Sequence, residues 1–349
     1  MDIKFLMTCI GGALSRVVVQ SLLTSDCFNY KIYGVDAEKV HEDTRKFFLN
    51  TEIVPNGNDD EYIDKLLYLV EIWGIDVFWP ASDDEVQMVS AHRQKLQALN
   101  CHVLMGSMEV ISKLNDKGKV YDILNKSGIY VPPYAVGTNE MDVWKAMCEF
   151  GYPNKTVVVK PTNGRGNRGL NIFTGHDMPS KWLGAGMRES KHQPNAVSSA
   201  EHLEGMLEKR TMIMPALREP AYDVDVLGGD AKEAQVIVRK RNNPSGIPFN
   251  GNVIVTDFKI QEYCRSIAEV LKLDSLFDMD LLTGHNGACL LEINPRPSGS
   301  LAVSLFAGFK MLDAAVANLY GKQIIVGVPK SDIEVSPSIQ SDNFMQLKI

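Results

Sequence analysis

The first third of the chain alternates between two hydrophobic rhythms. A nearly continuous apolar run, Ile3–Ile10, suits a strand covered on both faces. Gly11-Gly12 interrupts it, and a helical stretch follows through Val17–Leu23. Lys31–Val35 reads as a second strand, closed by Asp36. In Glu61–Trp73 the apolar positions Ile63, Leu66, Leu67 and Val70 recur at helical spacing, after which Asp76–Trp79 reads as a strand. Glu85–Leu99 is helical again and Cys101–Met105 is a fourth strand. This alternation predicts a parallel α/β domain over residues 1–108.

Beyond it the rhythm is mixed. Residues 112–150 read as two helical segments around the turn Gly128–Pro133, and Thr156–Lys160 as a strand that enters the glycine-rich loop Gly164–Gly169. Ser198-Ser199-Ala200-Glu201 fits a capping box, which predicts a helix to about Lys209. Thr211–Met214, Asp223–Leu227 and Gln235–Arg239 read as strands. Asp257 can cap a helix carrying Ile260, Cys264, Ile267 and Leu271. Leu276–Leu282 and Ala288–Ile293, joined across Gly284–Gly287, form a predicted hairpin, and a last helix covers Leu312–Leu319. Residues 181–197 lack periodicity and are expected to form a mobile loop. The expected division is a lobe over 109–210, a second over 211–330, and an unassigned tail over 331–349.

Composition narrows the chemistry. The net charge of -7 argues against a nucleic-acid or anionic-membrane surface as main partner. The six cysteines are scattered without a C-x-x-C pair, so reduced thiols are expected, and the histidines show no zinc-site spacing. Met1–Leu14 resembles a signal sequence only mildly, and no apolar stretch approaches the length of a membrane span. A cytoplasmic protein is expected.

Gly11-Gly12 after a strand, with Asp36 ending the next, invites a dinucleotide reading, but I-G-G-A-L-S is not G-x-G-x-x-G. A tight turn that lets the helix pack on the sheet explains the glycines equally well.

Two later segments carry more. In V-V-V-K-P-T-N-G-R-G-N-R-G-L, Val157 to Leu170, a strand delivers Lys160 into a loop with glycines at 164, 166 and 169. Such glycines let backbone N–H groups approach phosphate oxygens, and Arg165, Asn167 and Arg168 add donors. In L-E-I-N-P-R-P-S, Glu292 and Asn294 alternate along a strand and so share one face. With Asp280 across the hairpin they form a set of hard oxygen ligands suited to Mg²⁺. Arg296, just past the strand, suits a phosphoryl or carboxylate oxygen.

Taken in order, Asn115-Asp116-Lys117, the Lys160 loop, Y-D-V-D-V-L and E-I-N-P-R resemble the ATP-grasp superfamily, on the branch of carbamoyl-phosphate synthase large-subunit halves and biotin-carboxylase-like ligases. The resemblance covers about residues 1–325 and includes F-W-P-A-S-D-D-E at 78–85. It implies an N-terminal Rossmann-like parallel α/β domain followed by two α+β lobes gripping ATP. It implies an ADP-forming ligase that joins a carboxylate to an amine through an acyl phosphate, with ATP and Mg²⁺ (Mn²⁺ substituting) as cofactors. Lys117 and Lys160 would contact phosphates, and Gly164, Gly166, Asn167, Arg168 and Gly169 would fold over them. Met214, Ala216 and Leu217 would present backbone to adenine. Asp280, Glu292 and Asn294 would hold metal, with Asp278 left as an alternative to Asp280. Arg296, with Arg239 or Arg241, would stabilise the transferred group. The implied partners are a small carboxylate, an amino acid being favoured by Arg239, Arg241, Arg296 and Ser298, and a small amine. Neither nucleic acid nor membrane is implied, and a homodimer is compatible. The alternative is an ATP-binding module or subunit with weak or no catalysis, supported by two departures. Ala221 stands where the pattern has a ribose-binding Glu, leaving Glu219 as the nearest substitute, and Met214-Pro215 stands where it has Gln-Glu.

Overall fold

The computed structural model describes residues 1–163, 169–177, 197–229, 233–242, 251–339 and 345–349. The expected α/β alternation at the N-terminus forms β1 (Asp2–Met7), α1 (Ser15–Leu23), β2 (Asn29–Asp36), α2 (Glu42–Arg45), β3 (Asn50–Ile53), α3 (Tyr62–Trp73), β4 (Val77–Trp79), α4 (Asp83–Ala91), α5 (Arg93–Ala98) and β5 (His102–Val103). The five strands are parallel in the order β3-β2-β1-β4-β5. The apolar run of β1 is covered on both faces, as its sequence requires: Ile3, Phe5 and Leu6 are fully buried. Two details differ from expectation. The edge strand β3 went unseen because N-T-E-I is polar and mostly exposed. The single helix expected over Glu85–Leu99 is two, broken at His92, whose backbone leaves helical geometry.

The middle of the chain contains α6 (Met108–Leu114), α7 (Lys117–Lys126), β6 (Ala135–Gly137), α8 (Glu140–Glu149), β7 (Val157–Pro161), β8 (Asn171–Phe173) and β9 (Thr211–Pro215). Its sheet runs β6-β9-β7-β8, antiparallel throughout, so the Lys160 strand lies outside the parallel sheet. The helix expected after Ser198 is a single 3-10 turn, Ala200–Leu203. Its capping box does not form, because the hydroxyls of Ser198 and Ser199 face His202 Nδ1 instead. Gly205, at φ +73°, then turns the chain away. The loop expected over 181–197 lies outside the described residues except for Val197.

The last sheet has seven strands. Its elements are β10 (Arg218–Leu227), β11 (Gln235–Arg241), β12 (Asn252–Val255), α9 (Phe258–Leu271), β13 (Leu276–Gly284), β14 (Gly287–Asn294), α10 (Leu301–Phe306), α11 (Met311–Leu319), β15 (Ile333–Ile339) and β16 (Met345–Lys348). The order is β14-β13-β10-β11-β12-β15-β16. Residues of the unassigned tail therefore complete this sheet. α9 forms as its spacing predicts, with the Asp257 carboxylate accepting from the amides of Lys259 and Ile260.

The N-terminal and last sheets share one hydrophobic core. Phe5, Trp79, Leu301, Met311 and Ala314 pack in a single cluster, and α1 lies against α10. Asp313 of α11 accepts hydrogen bonds from Ser25 (2.9 Å) and Tyr30 (2.8 Å). This ties α11 to the turn after α1 and to the start of β2.

Candidate active site

Strand pairing places five acids on one face of the seven-stranded sheet. Asp223 lies opposite Asp280, Asp225 opposite Asp278, Asp278 opposite Asn294 and Asp280 opposite Glu292. Like charges in direct register repel, so this face needs built-in cations. β11 supplies two. Arg239 is fully buried, donating to both Asp225 oxygens (3.0 and 2.7 Å) and to Ser300 Oγ, with Asp223 and Asp278 each at 3.6 Å. Arg241 bridges Asp223 and Asp280, the latter at 2.5 Å.

The titration of these acids follows from the geometry. Burial works to raise Asp223, but Arg241 and Arg239 outweigh it and hold its carboxyl below the usual range. Asp278 and Asp280 go the other way. Burial pushes both above the usual carboxylate range, the neighbouring acids add to the push, and Arg239 and Arg241 offset only part of it.

Asp280, Glu292 and Asn294 are thus brought together as the sequence pattern expects. Asn294 Nδ2 donates to Asp278 (2.9 Å) and Asp280 (3.3 Å). Glu292 pairs with Lys117 Nζ at 3.3 Å. Among the described residues no group of three or more His, Cys, Asp and Glu forms a ready-made metal cluster. The donor set here is instead two carboxylates and an amide, all oxygen ligands of the hard kind that Mg²⁺ takes. Oδ1 of Asp278 is buried without a hydrogen bond, and two crowded acids titrate high, so a divalent cation fits the charge that this hairpin leaves unbalanced.

The basic side of the site comes from elsewhere in the chain. Lys117 opens α7, whose N-cap is Asp116, and its backbone N–H donates to Thr162 O at 3.0 Å. Lys160, on β7, is buried and donates to Leu291 O at 3.4 Å. Burial pulls its ammonium down to about 8, Glu292 opposes this and Lys117 adds to it. Gly169, at φ +73°, sits where a Cβ would meet Pro161 Cγ at 2.7 Å, so the loop's closing glycine has a steric reason of its own. Gly164, Arg165, Gly166, Asn167 and Arg168 lie outside the described residues.

The hinge is less open than expected. Met214 and Leu217 point into the core, and the Ala216 amide already donates to Thr156 O at 3.1 Å. Ala221 is buried and Glu219 is exposed. The three arginines separate clearly. Arg239 is enclosed by acids, Arg241 is partly exposed beside Asp280, and Arg296 reaches the first turn of α4, where its Nη2 meets Asp83 at 2.8 Å.

The acid of the dinucleotide alternative has a structural task of its own. Asp36 Oδ2 accepts from the Gly11 amide (2.9 Å) and Oδ1 from the Glu38 amide (3.1 Å), so this acid ties down its own turn. Sequence reading also gave no role to Asp83 or to the pair Asp223 and Asp225. The alternation D-V-D in β10 was signal enough for the pair, whereas nothing local marks Asp83.

A pocket of about 340 Å³ opens beside the hairpin, lined by Asp83, Gln87, Asn115, Lys117, Glu292 and Asn294 among others. A larger cavity of about 740 Å³ on the parallel sheet's rim, around Lys39, Arg45 and Asn50, holds none of these groups.

Comparison with known proteins agrees with this geometry. Residues 208–340 match the model of a family described as "ATP-grasp in the biosynthetic pathway with Ter operon". The whole chain superposes on N5-carboxyaminoimidazole ribonucleotide synthetase in its ADP complex, with a TM-score of 0.65, 15% identity, and 96% of this chain and 81% of that one covered. It superposes equally on a Campylobacter jejuni biotin carboxylase–ATP complex, with TM-score 0.65, 17% identity and coverage of 92% and 72%. The biotin carboxylase domain dimer of Hydrogenobacter thermophilus 2-oxoglutarate carboxylase, bound to MgADP and bicarbonate, gives TM-score 0.64, 15% identity and coverage of 92% and 70%. No helix among the described residues is long and apolar enough to cross a membrane. The chain thus shares the fold of these synthetase and biotin carboxylase structures, and its residues 208–340 are similar to an ATP-grasp family.

Proposed function

We propose that this protein is an ATP-dependent ligase that joins a carboxylate to an amine through an acyl phosphate, releasing ADP and phosphate. One observation carries the reading: the β13–β14 hairpin sets Asp280, Glu292 and Asn294 together, with Lys117 at 3.3 Å from Glu292 and Lys160 bonded to the same strand. Anionic ligands next to cations in one partly enclosed site suit a nucleotide phosphate with its counter-ion. ADP- and ATP-bound structures of the same fold support it.

Asp280, Glu292 and Asn294 would hold Mg²⁺ or Mn²⁺, which when bound neutralises phosphate charge. Lys117 and Lys160 would then turn from Glu292 and Leu291 O to phosphate oxygens. The loop 164–169 would cover them, and Met214, Ala216 and Leu217 would flank adenine. Arg241 and Arg296 would hold the transferred group, whereas Arg239 is bonded to both oxygens of Asp225. The reading extends to three lobes (1–108, 109–210 and 211–330), a cytoplasmic location, small carboxylate and amine partners, and a homodimer like the Hydrogenobacter domain.

The hinge favours a second reading, a nucleotide-binding module with weak or no catalysis. Pro215 has no N–H, Ala216 spends its own inside the sheet, and Ala221 offers no ribose ligand. ADP and phosphate release, measured over a library of amino acids and small carboxylic acids with and without amines, separates the two. A ligase turns over only with both co-substrates present; nucleotide binding without ADP formation in any combination leaves only the module.

A further inference from the structure

Arg296 lies in the segment Pro295-Arg296-Pro297 after β14, but what it grips comes from 213 residues earlier. Its Nη2 donates to Asp83 Oδ2 at 2.8 Å, Nη1 donates to Pro297 O at 2.9 Å, and Nε is buried without a hydrogen bond. Both side chains of the pair are 20% exposed. We propose that Asp83 is a positioning residue for Arg296, aiming from the parallel sheet a guanidinium that acts on the transferred phosphoryl group; this rests on the ligase reading above.

The case begins with how firmly Asp83 is held. It occupies the first turn of α4, where Ser82 Oγ accepts from the Asp84 amide at 3.1 Å and Glu85 Oε1 accepts from the Ser82 amide at 2.6 Å, a complete capping box. Glu85 is itself buried and accepts further bonds from Thr8 Oγ1 (2.6 Å) and the Tyr62 hydroxyl. Thr8 also accepts from the Ala81 amide at 2.8 Å. The turn carrying Asp83 is therefore pinned to the end of β1 and to α3, so Asp83 is a fixed anchor rather than a surface acid that happens to meet an arginine.

The second part concerns what Arg296 would do without it. Asp83 is the one carboxylate among the hydrogen-bond partners just named, and the other acids of this region are Asp278 and Asp280 on β13. Those two carboxylates sit at the metal end of the hairpin. Deprived of Asp83, the guanidinium is drawn toward them and competes with the cation that they would hold. Asp83 holds Arg296 against the first turn of α4, beside the 340 Å³ pocket that both Asp83 and Glu292 line. A guanidinium held there would offer its remaining Nη protons to phosphoryl oxygens without displacing the metal ligands.

The test uses full-length protein and MgADP with aluminium fluoride, a mimic of the phosphoryl group in transfer. Asp83→Asn keeps the side chain's shape and removes its charge. The expected result is MgADP affinity within twofold of wild type, an unchanged melting temperature, and at least a tenfold loss of aluminium fluoride trapping. Asp83→Glu should recover part of the trapping, and in an Arg296→Ala background Asp83→Asn should change it less than twofold. Trapping by Asp83→Asn equal to wild type, or an equal loss in the Arg296→Ala background, overturns the proposal while leaving the ligase reading intact. Absence of MgADP binding by the wild-type protein overturns both. Should Asp83→Asn melt early, the Arg296 Nε–Hε signal of ¹⁵N-arginine-labelled protein gives the second readout. It should move in Asp83→Glu more than any other arginine signal, and its failure to move counts against the pair.

Discussion

The parallel N-terminal sheet and the charged face of the last sheet both present aspartates at strand ends or along strands, and in the bare sequence both look like nucleotide sites. Their partners separate them. Asp36 spends both oxygens on the backbone amides of its own neighbourhood, Gly11 and Glu38. Asp280 and Glu292 are instead held by the long side chains of Arg241 and Lys117, which on the proposed reading a metal and a phosphate would displace. An acid bonded to backbone amides has no ready way to exchange partners, since the amides cannot leave. An acid paired with a long basic side chain keeps its ligand capacity in reserve. The same comparison divides the arginines of β11: Arg239 belongs with Asp36 among the committed groups, and Arg241 with the exchangeable ones.

The largest effect should come from breaking a committed group. Arg239→Leu leaves Asp225 and Asp278 buried without their main counter-ion and Asp223 with Arg241 alone, and should cost about 3–5 kcal/mol of stability. Urea denaturation measures it. A loss below about 1 kcal/mol would return Arg239 to the exchangeable class and to a direct part in catalysis.

Next is an exchangeable group. Glu292→Gln keeps the shape but removes a charged oxygen from the proposed metal site, so turnover should fall by about a hundredfold or more, with nucleotide binding retained. Single-turnover phosphate release, with a substrate pair from the library screen, reads this directly. A variant within about threefold of wild type would leave the hairpin without a catalytic role.

These partners also explain what the sequence could and could not reveal. β1, α3 and α9 were legible because their burial follows local periodicity, as Leu66 and Ile267 show. The hairpin acids were legible because Glu292 and Asn294 alternate and Asp280 lies one strand away. Strands β3, β6, β8, β12 and β15 are short or polar, and they exist because a neighbouring strand edge accepts them. The capping box at Ser198 failed because an equally good local partner, His202, competed for the hydroxyls. Asp83 was invisible in its role because its partner lies 213 residues away, a distance that the cores shared by the N-terminal and last sheets close.

Lys160 lies between the two classes, since its charge is costly until a phosphate arrives. Its ammonium falls to about 8 in the folded protein against a usual 10.5, so the unfolded chain binds more protons between those values and stability rises with pH across that window. Below pH 8 the penalty is fully present. Lys160→Met should therefore gain about 1–3 kcal/mol of stability at pH 7, a gain that shrinks as pH climbs toward 10.5, while ATP affinity drops by about 1–3 kcal/mol. Denaturation at pH 7 and pH 10, with calorimetry of ATP binding, checks both. Lower stability at pH 7 together with unchanged ATP affinity would make Lys160 a structural residue.

The smallest effect should be at Asp36, and it tests the comparison from the other side. Asp36→Asn retains an acceptor oxygen but loses the charge that strengthens the bond to Gly11, so stability should fall by only about 1 kcal/mol. A Cβ at Gly11 would come within 3.3 Å of that carboxylate oxygen, which shows how closely the turn is wrapped on the acid. A ribose hydroxyl at Oδ2 would have to share that oxygen with the Gly11 amide. Calorimetry with ATP should accordingly give the same affinity for variant and wild type, and NADH fluorescence titration should show no saturable binding to either. A tenfold loss of ATP affinity in Asp36→Asn, or NADH binding that disappears with the substitution, would move this turn into the exchangeable class. The nucleotide would then have to be sought on the parallel sheet instead of the β13–β14 hairpin.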